Sequence, residues 1–216
     1  MDSKSQKIYI VGAGVSGLIA ALTLEGNGFS PIILESTDRA GGRVKTDVVD
    51  GFQLDHGFQV LLSSYEAAQK YLNYDSLNLQ EFKSGSCIFI DGKQRLIGDP
   101  LRDSSVLFST LFSGIGSFSD KLKILKLNKS LKKKSISDIF NSDEITTLEY
   151  LRNLNFSSAV IEKFFRPFFT GIFLETSLET SSRMFEFVFK MFGEGSACIP
   201  EGGIEEISKQ LKNKLD

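Results

Sequence analysis

Lys7-Ile8-Tyr9-Ile10-Val11-Gly12-Ala13-Gly14-Val15-Ser16-Gly17 is the stretch that decides the fold, and Pro31-Ile32-Ile33-Leu34-Glu35 completes it. Residues 7–11 form a continuous apolar, β-branched run, which predicts a buried parallel strand. Gly12, Gly14 and Gly17 match G-x-G-x-x-G, Leu18 to Glu25 reads as helix, and Gly26-Asn27-Gly28 ends it. Pro31–Leu34 is the next strand, closed by the acid Glu35. Strand, glycine turn, helix and strand in this order are the context in which the triplet holds a dinucleotide. Gly12 permits the tight turn, Gly14 lets a pyrophosphate approach the backbone, and Gly17 lets the helix pack close to the strand. The helix N-terminus offers unpaired N–H groups and about half a positive charge to phosphates. Glu35 lies 18 residues past Gly17, the offset at which a carboxylate accepts ribose hydroxyls; an acid there disfavours a 2′-phosphate, and so NADP.

Lys4 and Lys7 before the apolar run superficially copy a signal peptide or a short membrane span. Three glycines inside it make a poor apolar helix, and no clean cleavage pattern follows. The other long uncharged stretch, Ser104 to Ser119, is rich in Ser and Gly and too short to span. The chain is therefore expected to have no transmembrane segment.

Composition narrows the remaining classes. The 216 residues carry 25 Lys+Arg against 27 Asp+Glu, a formal net charge of −2, without the basic excess of a dedicated nucleic-acid binder. Hydrophobic residues make up 41%, which argues against disorder. Cys87 and Cys198 are far apart, so neither a disulfide scaffold nor a CxxC metal site is expected, and a reducing compartment fits. With one histidine, His56, a His-rich metal centre or a Ser–His–Asp hydrolase has little support.

Asp38-Arg39-Ala40-Gly41-Gly42-Arg43 places a second flexible, basic loop just after the ribose-binding acid. Gly41 and Gly42 allow close backbone approach, and Arg43 can pair with a phosphate in forked geometry; the plainer alternative is a turn with a solvated arginine. Val44–Asp47 and Phe52–Asp55 flank Asp50-Gly51, a strong hairpin signal. Asp55-His56-Gly57-Phe58-Gln59 follows directly.

These segments resemble the FAD-dependent amine oxidase superfamily, which includes monoamine and polyamine oxidases, protoporphyrinogen oxidases and phytoene-desaturase-like enzymes. The resemblance rests on Gly12, Gly14, Gly17, Glu35 and Ala40-Gly41-Gly42-Arg43, and then on Asp55 to Gln59. It implies an α/β chain: a Rossmann-like FAD-binding domain of the glutathione-reductase type with a largely helical substrate-domain insertion. The implied FAD-binding residues are Gly12, Gly14, Val15, Ser16, Gly17, Glu35, Ser36, Gly41, Gly42 and Arg43. Gly57, Phe58 and Gln59 would pass the flavin ring, with Gly57 letting the backbone lie against it. No metal and no catalytic residue are assigned. His56 at a strand end reads as a hydrogen-bonded structural residue.

The implied organisation is an N-terminal part of the FAD-binding domain over 1–85, a substrate-domain segment over 86–195, and a return toward the FAD domain over 196–216. Ser63 to Leu72 predicts a helix, and Ser86–Ile90 with Lys93–Ile97 a second hairpin about Asp91-Gly92, stopped by Gly98-Asp99-Pro100. A mainly helical block is expected from Leu101 to about Phe192. Within it, residues 121–134 hold seven Lys in fourteen positions. Leu122, Ile124 and Leu125 are expected to share a stripe, making a basic amphipathic helix. A solvated lysine face explains it; docking on an anionic membrane surface is the sharper alternative.

Thr147–Leu151 starts another helix, with Thr146 or Thr147 as its cap. Of the 19 Phe, ten fall between Phe156 and Phe192, and Phe185, Phe189 and Phe192 recur on one helical face. Most are expected in a core, the remainder lining an apolar tunnel. Arg166-Pro167 through Phe173, with Ser181-Ser182-Arg183, loosely resembles the family's helical substrate segment, and Pro200-Glu201-Gly202-Gly203 its turn into a returning helix, here Glu205 to Leu215.

The expected activity is thus that of an FAD-dependent oxidoreductase moving a hydride from a small apolar organic substrate, carotenoid-, porphyrinogen- or amine-like. The expected location is cytoplasmic, with peripheral membrane contact through Lys121–Lys134 as a further expectation. An NAD-dependent dehydrogenase is one alternative; a truncated, inactive nucleotide-binding or interaction module is another. The latter follows from the end at Asp216, before the strand that the family would place next.

Overall fold

The computed structural model describes residues 7–57, 60–90, 92–98 and 114–215. Phe58, Gln59, the expected stop at Asp99-Pro100 and the expected helical start at Leu101 lie outside the described residues. Backbone contacts divide the chain into two units, one of Met1–Phe82 with Ser196–Asp216, the other of Lys83–Gly195.

The first unit begins with β1 (Ile8–Val11), α1 (Val15–Gly26) and β2 (Pro31–Leu34), and the two strands pair in parallel from Ile8↔Pro31 to Val11↔Leu34. A right-handed crossover helix between parallel strands is the expected βαβ chirality. Leu18 and Ala21 of α1 are buried, and Asn27 and Gly28 (φ 80°) end the helix. The expectation of a strand buried on both faces needs correction. Burial alternates along β1, Val11 is 87% exposed, and Tyr9, Ile32 and Leu34 share its exposed face. Ile10 faces α1, and among the described residues only that face of the pair is covered.

β3 (Thr46–Val49) and β4 (Phe52–Asp55) form the first hairpin, with Asp50 and Gly51 both at positive φ, the conformation that a two-residue Asp-Gly turn demands. A second sheet joins distant segments: β5 (Leu61–Leu62), β6 (Leu79–Glu81) and β9 (Ala197–Pro200) lie antiparallel in the order β5-β9-β6. The helix expected from Ser63 starts later, as α2 (Glu66–Tyr71), because Ser63 donates to Ser196 O in the sheet and Tyr65 N–H closes a turn on Leu62 O. A short α3 (Tyr74–Leu77) follows, capped by Asn73. The last helix (Glu206–Lys212) packs on α1, and its Ile207 and Leu211 join Leu18, Leu61, Leu77 and Cys198 in one core.

The second unit opens with the hairpin β7 (Gly85–Ile90) and β8 (Lys93–Gly98). Helices α4 (Phe118–Lys132), α5 (Ile136–Phe140) and α6 (Thr147–Asn153) each start at a hydroxyl cap, from Ser117, Ser135 and Thr146. A one-turn α7 (Ser158–Val160) passes through a π-turn over Ile161–Phe165 into α8 (Arg166–Phe173), and α9 (Ser182–Glu194) completes the unit. For reference, the last helix of the first unit is α10.

Phenylalanines make this core. Phe165, Phe169 and Phe185 are fully buried, with ring centroids 4.7 Å apart for Phe169–Phe185 and 5.9 Å for Phe165–Phe185. Each such side chain contributes about 2–3 kcal/mol of burial. The basic helix packs differently from its expectation. Leu127, Leu131 and Ile124 face this core, whereas Leu122 and Leu125 face outward. At 100° per residue Leu122 and Leu125 lie across the helix from Leu127 and Leu131, so the apolar residues form two faces.

Candidate functional site

The site grows from the end of β1. Gly12 takes φ 96°, a conformation that only glycine adopts without strain, and its N–H donates to Leu34 O at 2.7 Å. The turn that follows brings the Ala13 N–H to Glu35 Oε2 at 2.7 Å. Gly14 is the N-cap of α1 and supplies no side-chain cap, so the first-turn N–H groups of Val15, Ser16 and Gly17 point out of the helix end with no side-chain acceptor there. A Cβ built on Gly14 meets nothing within 4 Å: the space before the helix is open. A Cβ on Gly17 would stand 2.1 Å from Gly12 O, so that glycine is what lets α1 lie on β1.

The second glycine turn sits against the first. Gly41 (φ 124°) donates its N–H to Ala13 O at 2.8 Å, and a Cβ there would strike Val44 O at 2.5 Å and Ser208 Oγ at 2.7 Å. A Cβ on Gly42 (φ 60°) would lie 3.3 Å from Gly14 Cα. Two backbone turns 27 residues apart thus share one patch of surface, since Gly14 and Gly41 are bridged in parallel. Val15 packs on the core while Ser16, Ser36 and Arg43 are exposed at its edge. Gly57 does not join that cluster: it stands two residues past β4 at φ 77°, with no neighbour within 4 Å of its Cβ position. Phe58 and Gln59 lie outside the described residues.

Glu35 is held beside the first turn. Its Oε2 accepts from Ala13 N–H, and its Oε1 accepts from the Thr37 N–H and hydroxyl, each at 2.9 Å. The Ala13 N–H, then the Thr37 donors, lower its pKa to about 2. It is an anion and an acceptor at every physiological pH, with lone pairs left beyond those three donors. A cavity of about 390 Å³ opens beside it, lined by Ala13, Glu35, Thr37, Arg39 and Ala40 among others.

A network that sequence reasoning missed braces these turns from below. Arg39 pairs with Asp47 and, at 3.3 Å, with the buried Glu205. Thr46 donates its hydroxyl to Asp55 at 2.5 Å and accepts the Glu205 N–H at 3.0 Å, while Glu205 Oε2 accepts the Thr46 N–H at 3.2 Å. Asp55 also takes the Ile204 N–H at 3.0 Å. A Cβ on Gly203 (φ 92°) would sit 2.5 Å from the Thr46 side chain, which explains the second glycine of the Pro200–Gly203 turn. That turn was the available signal; its partners, more than 140 residues earlier, left none. Arg39 and then His56, which meets Asp47 Oδ2 at 2.6 Å, hold the Asp47 carboxyl below its ordinary pKa.

In the second unit a cavity of about 550 Å³ runs between β7 and the π-turn, walled by Phe89, Phe164 and Phe168 with Glu162 and Lys163 at its edge. The fully buried Phe165, Phe169 and Phe185 belong to the core behind it. Among the described residues no group of acids, histidines and cysteines could hold a metal ion, and no helix is long and apolar enough to cross a membrane.

A βαβ unit with abutting glycine turns, an ionised acid at the second strand end and an inserted helical unit defines a dinucleotide-holding α/β protein. Residues 15–216 match the family described as flavin containing amine oxidoreductase. An L-amino-acid oxidase of Trimeresurus stejnegeri is 32% identical over 159 residues, 69% of this chain and 31% of that protein. Among solved structures, putrescine oxidase bound to putrescine gives a TM-score of 0.65 at 21% identity, covering 97% of this chain and 49% of that one. Cyclohexylamine oxidase from Brevibacterium oxydans gives 0.66 at 18%, covering 97% and 49%. The chain belongs to the flavin containing amine oxidoreductase family. It spans about a third of the length of the curated relatives it matches and about half that of the structural neighbours. The expected family and fold class are borne out, as is the flavin as the family's cofactor; the nicotinamide alternative gains no support.

Proposed function

We propose that this chain carries the nucleotide-holding part of an FAD-dependent oxidoreductase that oxidises a small amine-bearing organic substrate. The abutting glycine turns carry this reading: Gly14 and Gly42 leave backbone open where a pyrophosphate needs to come close, in front of the uncapped start of α1, and the buried Gly41 holds the second turn against the first. The N–H groups of Val15, Ser16 and Gly17 would bind the phosphates, and Arg43 at the edge would pair with them. Glu35 would accept from the adenosine ribose, with Ser36 and the cavity beside it taking the nucleoside. Gly57, Phe58 and Gln59 would pass the flavin ring. The chemistry that FAD supplies when bound is two-electron acceptance from a substrate carbon. The protein's part is to orient the substrate and exclude water.

The amine is favoured over a carotenoid or porphyrinogen because the relatives named above are amino-acid and amine oxidases, and because the phenylalanines offered for an apolar tunnel are mostly packed as core. In this proposal residues 1–85 and 196–216 serve the cofactor and 86–195 the substrate. Equilibrium dialysis against FAD tests it: the chain should bind one FAD per molecule and leave NAD in solution. Binding of NAD in preference, or of neither, would overturn the assignment.

A further inference from the structure

Helix α4 carries an outer face that neither the cofactor site nor the Phe core uses. Phe118, Leu122 and Leu125 are 66%, 51% and 42% exposed, and their spacing of four and three residues puts them on one line. Lys129 continues that line, with Lys126 and Lys133 to one side and Lys132 to the other, all exposed. These four lysines make no ion pair among the described residues. The face bears no acid. The helix's Asp120 is 1% exposed on the opposite side, bonded to Ser117 and Ser157. Lys134 also leaves the face, turning to the buried Glu186 at 2.5 Å.

An apolar ridge that runs into an acid-free lysine patch matches an anionic lipid interface: large apolar side chains enter the headgroup boundary while ammonium groups stay at the charged surface. A protein partner fits less well, because lysine is depleted and arginine enriched in protein interfaces, and this patch holds lysine alone. The attraction is local, since the chain's net charge is −2, so it orients the molecule with α4 toward the surface. We infer that this face docks the protein on an anionic membrane surface, with Phe118, Leu122 and Leu125 entering the headgroup layer and Lys126, Lys129, Lys132 and Lys133 meeting acidic headgroups.

Co-sedimentation with vesicles tests this independently of any cofactor. Binding to phosphatidylcholine vesicles containing phosphatidylserine should exceed binding to phosphatidylcholine alone and fall as NaCl rises. Lys126→Gln, Lys129→Gln, Lys132→Gln and Lys133→Gln should each weaken it about fivefold, whereas Lys134→Gln should leave it unchanged. Leu122→Ser with Leu125→Ser should weaken it about tenfold with an unaltered thermal melt, since both side chains face outward. Equal binding to both vesicle types, or indifference to the serine pair, would overturn the inference. So would polyglutamate in solution binding as tightly as the vesicles, which would make the patch a site for acidic protein.

Discussion

The two units of this chain are stabilised by different means. In the first, shape is imposed residue by residue: Gly12, Gly41, Gly42 and Gly203 sit at positive φ, and a Cβ on Gly17 or Gly41 would collide with backbone. Among the described residues its β1–β2 pair is covered on one face only, and much of its definition comes from hydrogen bonds such as those of Thr46, Asp55 and Glu205. The second unit is held by volume: among the described residues eleven buried side chains form one cluster, Phe prominent among them. At the proposed cofactor surface backbone conformation does the shaping; in the core behind the Phe-walled cavity of the second unit side-chain packing does.

The largest effect that sharpens this contrast is in the helical unit. Phe165→Ala removes a fully buried ring touching Phe156, Phe164 and Phe185, and should lower unfolding free energy by about 4 kcal/mol in a urea titration. At Gly14 the opposite outcome is expected. Gly14→Val occupies space the protein itself leaves empty, so stability should change by less than about 1 kcal/mol while FAD affinity falls at least about a hundredfold, near 3 kcal/mol. A valine variant that unfolds, or that keeps its FAD, would erase the difference between the regions.

Asp120 gives a smaller, pH-dependent effect. Burial opposes its charge, but the N–H and hydroxyl groups of Ser157 and Ser117 outweigh that and bring its pKa down from 3.8 to about 2. Its folded pKa is depressed, so its contribution is fully present above pH 3.8 and lost as pH falls through 2. The lowered pKa corresponds to roughly 2 kcal/mol of stability. Asp120→Asn should flatten the acid limb of a stability–pH profile; an unchanged limb would place the acid sensitivity elsewhere.

These differences also explain what could be read in advance. Gly12, Gly14, Gly17 and Glu35 were legible because a short motif fixes their spacing and each has a steric or electrostatic reason to be that residue. The Asp50-Gly51 hairpin was legible for the same reason, its two positive φ values. The β5-β9-β6 sheet was not: its strands have two to four residues, too few for a period, and Cys198 meets Leu61 across 137 residues. Arg39, Thr46 and Glu205 were invisible as a group because hydrogen bonds between residues about 160 apart leave no local pattern. The outward Leu122 and Leu125 were misassigned because apolar residues on two faces of a helix look, in sequence, like one face.

The smallest expected effect is none at all, and it bears on Glu35. An acid whose pKa lies at about 2 exchanges no proton between pH ~5 and ~8, so binding that depends on it as an acceptor should be flat over that range. FAD titrations followed by flavin fluorescence at several pH values measure this directly. An affinity that changed tenfold across those pH values would overturn the role of Glu35 as a fixed acceptor beside the glycine turns.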